Sequence, residues 1–329
     1  MIQSTEMALS FSVPSLALGT APIGSMAAQF GFAVSDADTR ATITHCLARG
    51  IRFIDTAPFY GNGLAELRIG AAMQDVARED VLLGTKVGWL PNAADGTRGY
   101  SREAILRTVD ESLKRLKTDY LDIAHVHDPD DFRQQALDEA FPTLNDLKRQ
   151  GVIRAVGSGM NQWRMLADFA RNADVDCFLL AGRYTLLEQE PLLEFFPLML
   201  EKRIAIFLGG VFNSGILATG AVAGARYQYA LAPEPILEKT RRIESVCARY
   251  GVPLRAAALQ FAAAPAAVTT LVLGMVSPTE VDDNLAMLSV SIPEDFWREL
   301  EALGLIAGGQ PTALRMPTTI NRSPTSVRP

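Results

Sequence analysis

Short apolar runs that read as strands alternate along this 329-residue chain with longer segments whose apolar positions recur about every 3.6 residues. Strands are expected at Leu16–Gly19, Ile51–Asp55, Val81–Lys86, Leu121–His127, Ile153–Ser158, Cys177–Ala181, Ile204–Gly209 and Thr270–Gly274. Helices are expected between them, among others at Asp36–Ala48, Ala65–Met73, Ser101–Leu116, Gln135–Arg149 and Gln162–Asn172. The segment from Ser101 shows why: a serine fit to cap, then Ile105, Val109, Leu113 and Leu116 on one face. Gly151 is a suitable stop after Gln150. Eight strand–helix units predict a (β/α)8 barrel rather than an open doubly wound sheet, and no Gly-x-Gly-x-x-Gly follows the first strand. One barrel domain is expected over residues 1–305. Residues 306–329, with Gly308, Gly309, Pro311, Pro317, Pro324 and Pro329, read as a tail that either covers the barrel mouth or stays unstructured.

The strands end on ionisable side chains. The second ends on Asp55, with Tyr60 on the turn that Pro58 begins; the third ends on Lys86 and the fourth on His127. In a closed parallel barrel such ends converge on one mouth, where enzymes of that architecture keep their chemistry.

Composition narrows the choice of function. A chain with 48% hydrophobic and 21% charged residues can bury a large core, and a net charge of −6 provides no field for a phosphate backbone, so nucleic acid is not an expected partner. No uninterrupted apolar run approaches the roughly 20 residues that cross a bilayer. The N-terminal stretch lacks an early basic region and is broken by Pro14, Gly19, Pro22 and Gly24, so it reads as strand and loop rather than a signal peptide. Cys46, Cys177 and Cys247 are odd in number and widely spaced, which suits neither a disulfide framework nor a metal site and points to the cytoplasm.

The run from Gly50 to Gly61, containing Phe53-Ile-Asp-Thr-Ala-Pro-Phe-Tyr-Gly, together with Lys86 and His127 in order, resembles the aldo-keto reductases. The likeness extends from about Leu16 to Leu303. It implies an NAD(P)-dependent oxidoreductase with a catalytic tetrad of Asp55, Tyr60, Lys86 and His127. The chemistry is consistent with those residue types. A free phenol titrates near about 10, too high for proton transfer at neutral pH, and an adjacent ammonium is expected to lower it. Lys86 would supply that charge, Asp55 would keep Lys86 protonated, and Tyr60 would exchange the proton while His127 hydrogen-bonds the substrate oxygen.

Two rival chemistries draw on the same residues. His125 and His127 share one strand face, as in barrel metallohydrolases, but the only other histidine, His45, lies on the first helix, so no metal is expected. Asp128, Asp130 and Asp131 cluster after the fourth strand, where a barrel glycosidase would carry a carboxylate, yet neighbouring acids on one loop suit solvation or sugar hydroxyls better than an acid–base pair.

None of the tetrad residues can accept a hydride, so a nicotinamide cofactor is required. The resemblance puts its contacts at Gly19, Thr20 and Asp55, and at Ser158 and Asn161, because Gly159 and Met160 replace the usual Ser-Asn. The run Gly209-Gly210-Val211-Phe212-Asn213-Ser214-Gly215 would offer backbone N–H groups to an anion. Relatives selective for NADP carry cations where this chain has Gly274, Met275 and Glu280, while an acid–Asn pair survives as Asp283-Asn284. A carboxylate disfavours a 2′-phosphate, so NAD is expected in preference to NADP.

Within the family, the runs His125–Asp131, Gly157–Gln162, Leu180–Leu187 and Gly210–Leu217 resemble the branch of D-threo-aldose 1-dehydrogenases, L-fucose and L-galactose dehydrogenases and pyridoxal 4-dehydrogenase. That implies oxidation of a sugar hemiacetal to a lactone, with Trp89, His127, Asp128 and Arg183 facing the substrate. Pyridoxal oxidation, general aldehyde reduction and a non-catalytic nicotinamide-sensing subunit are the alternatives. The oligomeric state is not readable from the sequence.

Overall fold

The computed structural model describes residues 9–90 and 98–308. Seven parallel strands, β1 (Leu16–Gly19), β2 (Phe53–Asp55), β3 (Leu82–Val87), β4 (Leu121–His127), β5 (Ile153–Met160), β6 (Cys177–Ala181) and β7 (Ala205–Gly209), follow one another around a barrel. After a short antiparallel hairpin, β8 (Arg226–Tyr227) and β9 (Ala230–Leu231), the eighth barrel strand β10 (Val268–Gly274) pairs with β7 and β1 and closes the ring. The fold is a (β/α)8 barrel.

Alternation along the strands decides what points where. Ala17, Phe53, Ile123, Ala155, Cys177, Leu179, Ala205, Phe207 and Val272 form the inner core, and Leu9, Phe11 and Val13 pack against it. Leu18, Ile54, Val87, Val126, Val156, Phe178, Ile206 and Leu271 belong to the larger cluster under the helices. Burial on both faces is why the strands read as nearly continuous apolar runs.

The helix Asp36–Ala48 begins where the sequence places it, with the Ser35 hydroxyl accepting the Asp38 N–H, and Ser101 caps Arg102–Leu116 through Ala104 N–H at 3.3 Å. The expected helix 135–149 differs. It starts at Arg133, widens into a π turn over Ala136–Ala140 and continues as Phe141–Arg149. Pro142 has no N–H and its ring would strike the carbonyl four residues back, so the wider turn makes room for it. Strand β5 runs past Ser158 to Met160, which brings Gly159 to the inner face beside His127. Packing also continues beyond Leu305: Ile306 is buried and Ala307 N–H donates to Gln189 Oε1 at 2.8 Å. The expected tail from residue 309 lies outside the described residues.

Candidate active site

The carboxyl ends of β2, β3 and β4 bring Asp55, Lys86 and His127 together. Lys86 Nζ donates to Asp55 Oδ2 at 2.7 Å and to the Thr56 carbonyl at 2.8 Å, and both side chains are almost wholly buried. The same ammonium lies 4.7 Å from the centre of the Tyr60 ring. Tyr60 is held by the tight turn that follows Pro58, where its N–H donates to Ala57 O at 3.1 Å. Gly61, at φ +65°, presses so closely on the Gly24 carbonyl that any Cβ there would collide with it. His127 meets the edges of Phe59, Tyr60 and Trp89 with ring centres at 6.1, 6.1 and 6.3 Å.

Several neighbours of this cluster carried no sequence signal. Phe59 packs on Trp89 at 4.4 Å, giving the mouth an aromatic wall. Tyr100 is completely buried, and its hydroxyl lies between the carbonyls of His127, at 2.6 Å, and Asp128, at 2.9 Å. Arg98 donates to the Asp128 carbonyl at 3.1 Å and lies over the Trp89 ring at 4.8 Å. Asp128, at φ +45°, is thereby fixed with its carboxylate 3.7 Å from His127 Nε2.

Burial dominates the electrostatics. It works against the Lys86 charge, but Asp55 and Tyr60 more than compensate and Lys86 is raised further above its ordinary value. Asp55 is raised by burial and pulled back by Lys86. Tyr60 is half-buried as a residue with its hydroxyl sunk in the site. Burial pushes that phenol up to about 12, against the pull of Lys86. This corrects the expectation of a lowered phenol: losing water costs the phenolate more than one already paired ammonium returns. His127 is driven well below its ordinary value by burial and then by Lys86, and His125 falls to about 3 for the same reasons, so both imidazoles are neutral at neutral pH. Asp128 rises to about 6 through burial and the nearby Asp130.

The opposite half of the mouth is nearly bare. The inward positions at the ends of β5, β6, β7, β10 and β1 are Gly159, Ala181, Gly209, Gly274 and Gly19. Side chains this small leave a shallow floor beside Tyr60 and His127, which suits a flat ring such as nicotinamide. Asn161 stands at its rim, donating from Nδ2 to the Ala181 carbonyl at 2.7 Å. Asn213, which the sequence did not single out, stands nearby with Nδ2 3.2 Å from Gly182 O and Oδ1 accepting from Thr185.

Other expected contacts are turned elsewhere. Ser158 faces outward from the barrel, completely buried, and its hydroxyl donates to Val126 O at 2.8 Å, because alternation sends Gly157 and Gly159 inward instead. The Thr20 hydroxyl is used by the Asp55 carbonyl at 3.0 Å, and the Ser214 hydroxyl accepts Tyr229 N–H at 2.9 Å. In the loop Gly209–Gly215, the Asn213 and Gly215 amides donate to Gly210 O and Phe212 O, which narrows the cradle for an anion to the remaining amides. Phe212 packs against the core. Arg183 lies 3.4 Å from Glu188. Glu280 accepts Val276 N–H at 2.9 Å while Ser277 Oγ accepts Glu280 N–H at 3.2 Å, so its carboxylate is engaged in capping the helix Pro278–Leu288. Asp283 and Asn284 follow one turn later, the first exposed and the second buried.

Among the described residues no cluster of three or more His, Cys, Asp or Glu could hold a metal ion, and His45 lies on an outer helix, 3.0 Å from Asp282. No described helix is long and apolar enough to cross a membrane.

Comparison with known proteins agrees with this architecture. The chain is 35% identical over 331 residues to pyridoxal 4-dehydrogenase of Microbacterium luteolum, covering 90% of this chain and 95% of that protein. It is 34% identical to D-threo-aldose 1-dehydrogenase of a Pseudomonas species, with 93% and 99% covered. An aldo-keto reductase from Bacillus halodurans, in its holo form, shares the fold with a TM-score of 0.75 at 24% identity, over 93% of this chain and 96% of that one. Residues 15–304 match the Aldo/keto reductase family, and the chain belongs to that family of nicotinamide-dependent oxidoreductases.

Proposed function

We propose that the protein oxidises an aldose of the L-fucose, L-galactose or D-arabinose type at C1 to the lactone, with NAD preferred to NADP. The observation that carries the reading is the Asp55–Lys86–Tyr60 contact set beside a neutral His127, facing a mouth half lined by glycine and alanine. The bound nucleotide supplies the hydride acceptor. Tyr60 takes the proton of the C1 hydroxyl, Lys86 stabilises the phenolate that must form first, and Asp55 holds Lys86 in place. His127 hydrogen-bonds the substrate oxygen and orients C1. Asn161 and the floor formed by Gly159, Ala181 and Gly209 receive the nicotinamide; the Gly210–Gly215 turn receives phosphate. Trp89 packs on the sugar ring and Asp128 accepts a hydroxyl.

The kinship with D-threo-aldose 1-dehydrogenase supports the sugar substrate. The barrel acts as one domain that includes Ile306 and Ala307. A cytoplasmic site suits its three buried free cysteines.

A second reading, oxidation of pyridoxal, is favoured by the Phe59–Trp89 wall, which would accept an aromatic ring, and by the 35% identity to pyridoxal 4-dehydrogenase. Nucleotide reduction assayed at alkaline pH with L-fucose, L-galactose, D-arabinose, pyridoxal and simple alcohols separates the readings. Turnover of the aldoses above all others supports the first, and turnover of pyridoxal alone replaces it with the second. Tight nucleotide retention without turnover of any substrate would indicate a sensing subunit.

A further inference from the structure

The backbone of Asp128 is held where neither its residue type nor its neighbour favours it. A φ of +45° is left-handed and costs any residue that carries a Cβ, and Pro129 pushes the residue before it toward extended backbone. Relaxation to that extended form would re-aim the carboxylate, which now lies 3.7 Å from His127 Nε2. A left-handed residue kept in place at a cleft points to a role for what it presents.

Two donors from one segment keep it there. Pairing of β3 with β4 ends at Val87 and Val126, because the chain turns off at Gly88 with φ +109°, so the His127 and Asp128 carbonyls lie beyond the ladder. The Tyr100 hydroxyl lies 2.6 Å from the first carbonyl and 2.9 Å from the second, and Arg98 Nη1 donates to the second at 3.1 Å. A phenol has one proton to give, so Arg98 completes the set. Burial raises the Tyr100 phenol, which therefore stays a donor. The segment is itself anchored. Gly99 N–H donates to Gly88 O at 2.9 Å, the Tyr100 ring packs on Phe132 at 5.2 Å, and that ring fills the space where a Cβ on Gly88 would collide with it.

We propose that Tyr100 is a positioning residue for the substrate site: through the His127 and Asp128 carbonyls it holds the Asp128 carboxylate beside His127 Nε2, where the two side chains meet oxygens on neighbouring carbons of the substrate. This rests on the reading above that His127 binds the oxygen at C1. The gap of 3.7 Å is too long for a direct hydrogen bond and leaves each group free to take its own oxygen. A substrate with a hydroxyl next to the reacting carbon satisfies both, and one without it leaves the carboxylate unpaired. Asp128 is faced by His127, Asp130, Lys86, Arg98 and Tyr229.

The test has two readouts, taken on variants that thermal unfolding shows to be folded. The first is a 13C NMR titration of the aspartate carboxyls, with Asp128 assigned by its loss in Asp128→Asn. It should titrate at about 6 in the parent and move toward the ordinary carboxylate range near about 4 in Tyr100→Phe, as the released side chain turns to water. An unchanged titration overturns the proposal. The second is the ratio of kcat/KM for D-arabinose to that for 2-deoxy-D-ribose, which is D-arabinose without its 2-hydroxyl. The ratio should fall about tenfold in Asp128→Ala and several-fold in Tyr100→Phe, and should fall no further when Tyr100→Phe is added to Asp128→Ala. Arg98→Met removes the other donor from a less buried position and should lower the ratio in the same direction. Equal losses on both sugars in Tyr100→Phe, or a full further loss in the double variant, would show a general structural role and overturn the proposal. A parent that oxidises neither sugar refutes the aldose reading, while the carboxyl titration still decides whether Tyr100 holds Asp128.

Discussion

The imidazole of His125 occupies the space that a side chain on Gly157 would need. A Cβ at Gly157 would fall 2.5 Å from His125 Nδ1 and would also strike the Cys177 carbonyl. His125 and Gly157 are register partners on β4 and β5, so the glycine is what admits a histidine to the barrel interior beneath the tetrad. Gly157→Ala should therefore destabilise by about 1–3 kcal/mol or more, the usual range for overpacking. Denaturant midpoints of the two proteins check this; equal midpoints would show that the ring has room to move.

The same histidine makes stability depend on pH. His125 is held neutral, with its titration lowered to about 3 by burial and by Lys86. In the unfolded chain it titrates near about 6.5, so below that value the unfolded state binds the extra proton. The contribution is fully present above about pH 6.5 and declines as pH falls toward the folded value, at up to about 1.4 kcal/mol per pH unit. Urea unfolding of the parent and of His125→Leu between about pH 7 and pH 4 isolates it. The parent should lose stability more steeply than the variant, and parallel curves would contradict the account.

The barrel was legible in the sequence because its strands, buried on both faces, stand out as apolar runs between helices with a 3.6-residue period. The association of Asp55, Lys86 and His127 was legible because each ends a strand and strand ends converge. What could not be read depends on side-chain direction or on contacts between distant segments. Ser158 was expected at the mouth and faces the helices, because the end of β5 lies two residues further on and alternation assigns the inner face to Gly157 and Gly159. Tyr100 reaches the His127 and Asp128 carbonyls from a different loop, and no local spacing announces that. The Tyr60 phenol was expected to be lowered by Lys86; its burial, invisible in the sequence, reverses the direction.

Glu280 has two roles that substitution can separate. Its carboxylate caps the helix Pro278–Leu288 through Val276 N–H, and in the proposed reading its charge also disfavours a 2′-phosphate. Glu280→Gln keeps a side chain that can cap and removes only the charge. It should raise the NADP-to-NAD ratio of kcat/KM without a loss of stability. Glu280→Arg should raise that ratio further, by about ten-fold to a hundred-fold, while costing about 1 kcal/mol through the lost cap. A parent that already prefers NADP strongly would contradict the NAD assignment.

Oxidation should accelerate as pH rises through the neutral and alkaline range, because in the proposed mechanism the phenolate of Tyr60 is the proton acceptor, and burial holds the phenol up at about 12. Lys86→Met removes the ammonium that pulls on that phenol, so its apparent titration should move higher and the rate at any fixed pH should fall. The profile must be taken where a deuterium isotope effect at C1 shows hydride transfer to limit the rate. A flat profile under that condition would rule out the Tyr60–Lys86 couple.

Tyr60→Phe is the most direct test, since it deletes one hydroxyl and leaves the ring that packs beside Lys86 and His127. Loss of a general acid–base group should lower kcat by about 10²–10⁴-fold. Nucleotide affinity and the thermal midpoint should stay near those of the parent. The measurement is kcat for aldose oxidation by the two proteins under the same saturating nucleotide. A loss of that size with binding and folding preserved is the predicted result, and turnover by Tyr60→Phe close to the parental rate would contradict the mechanism.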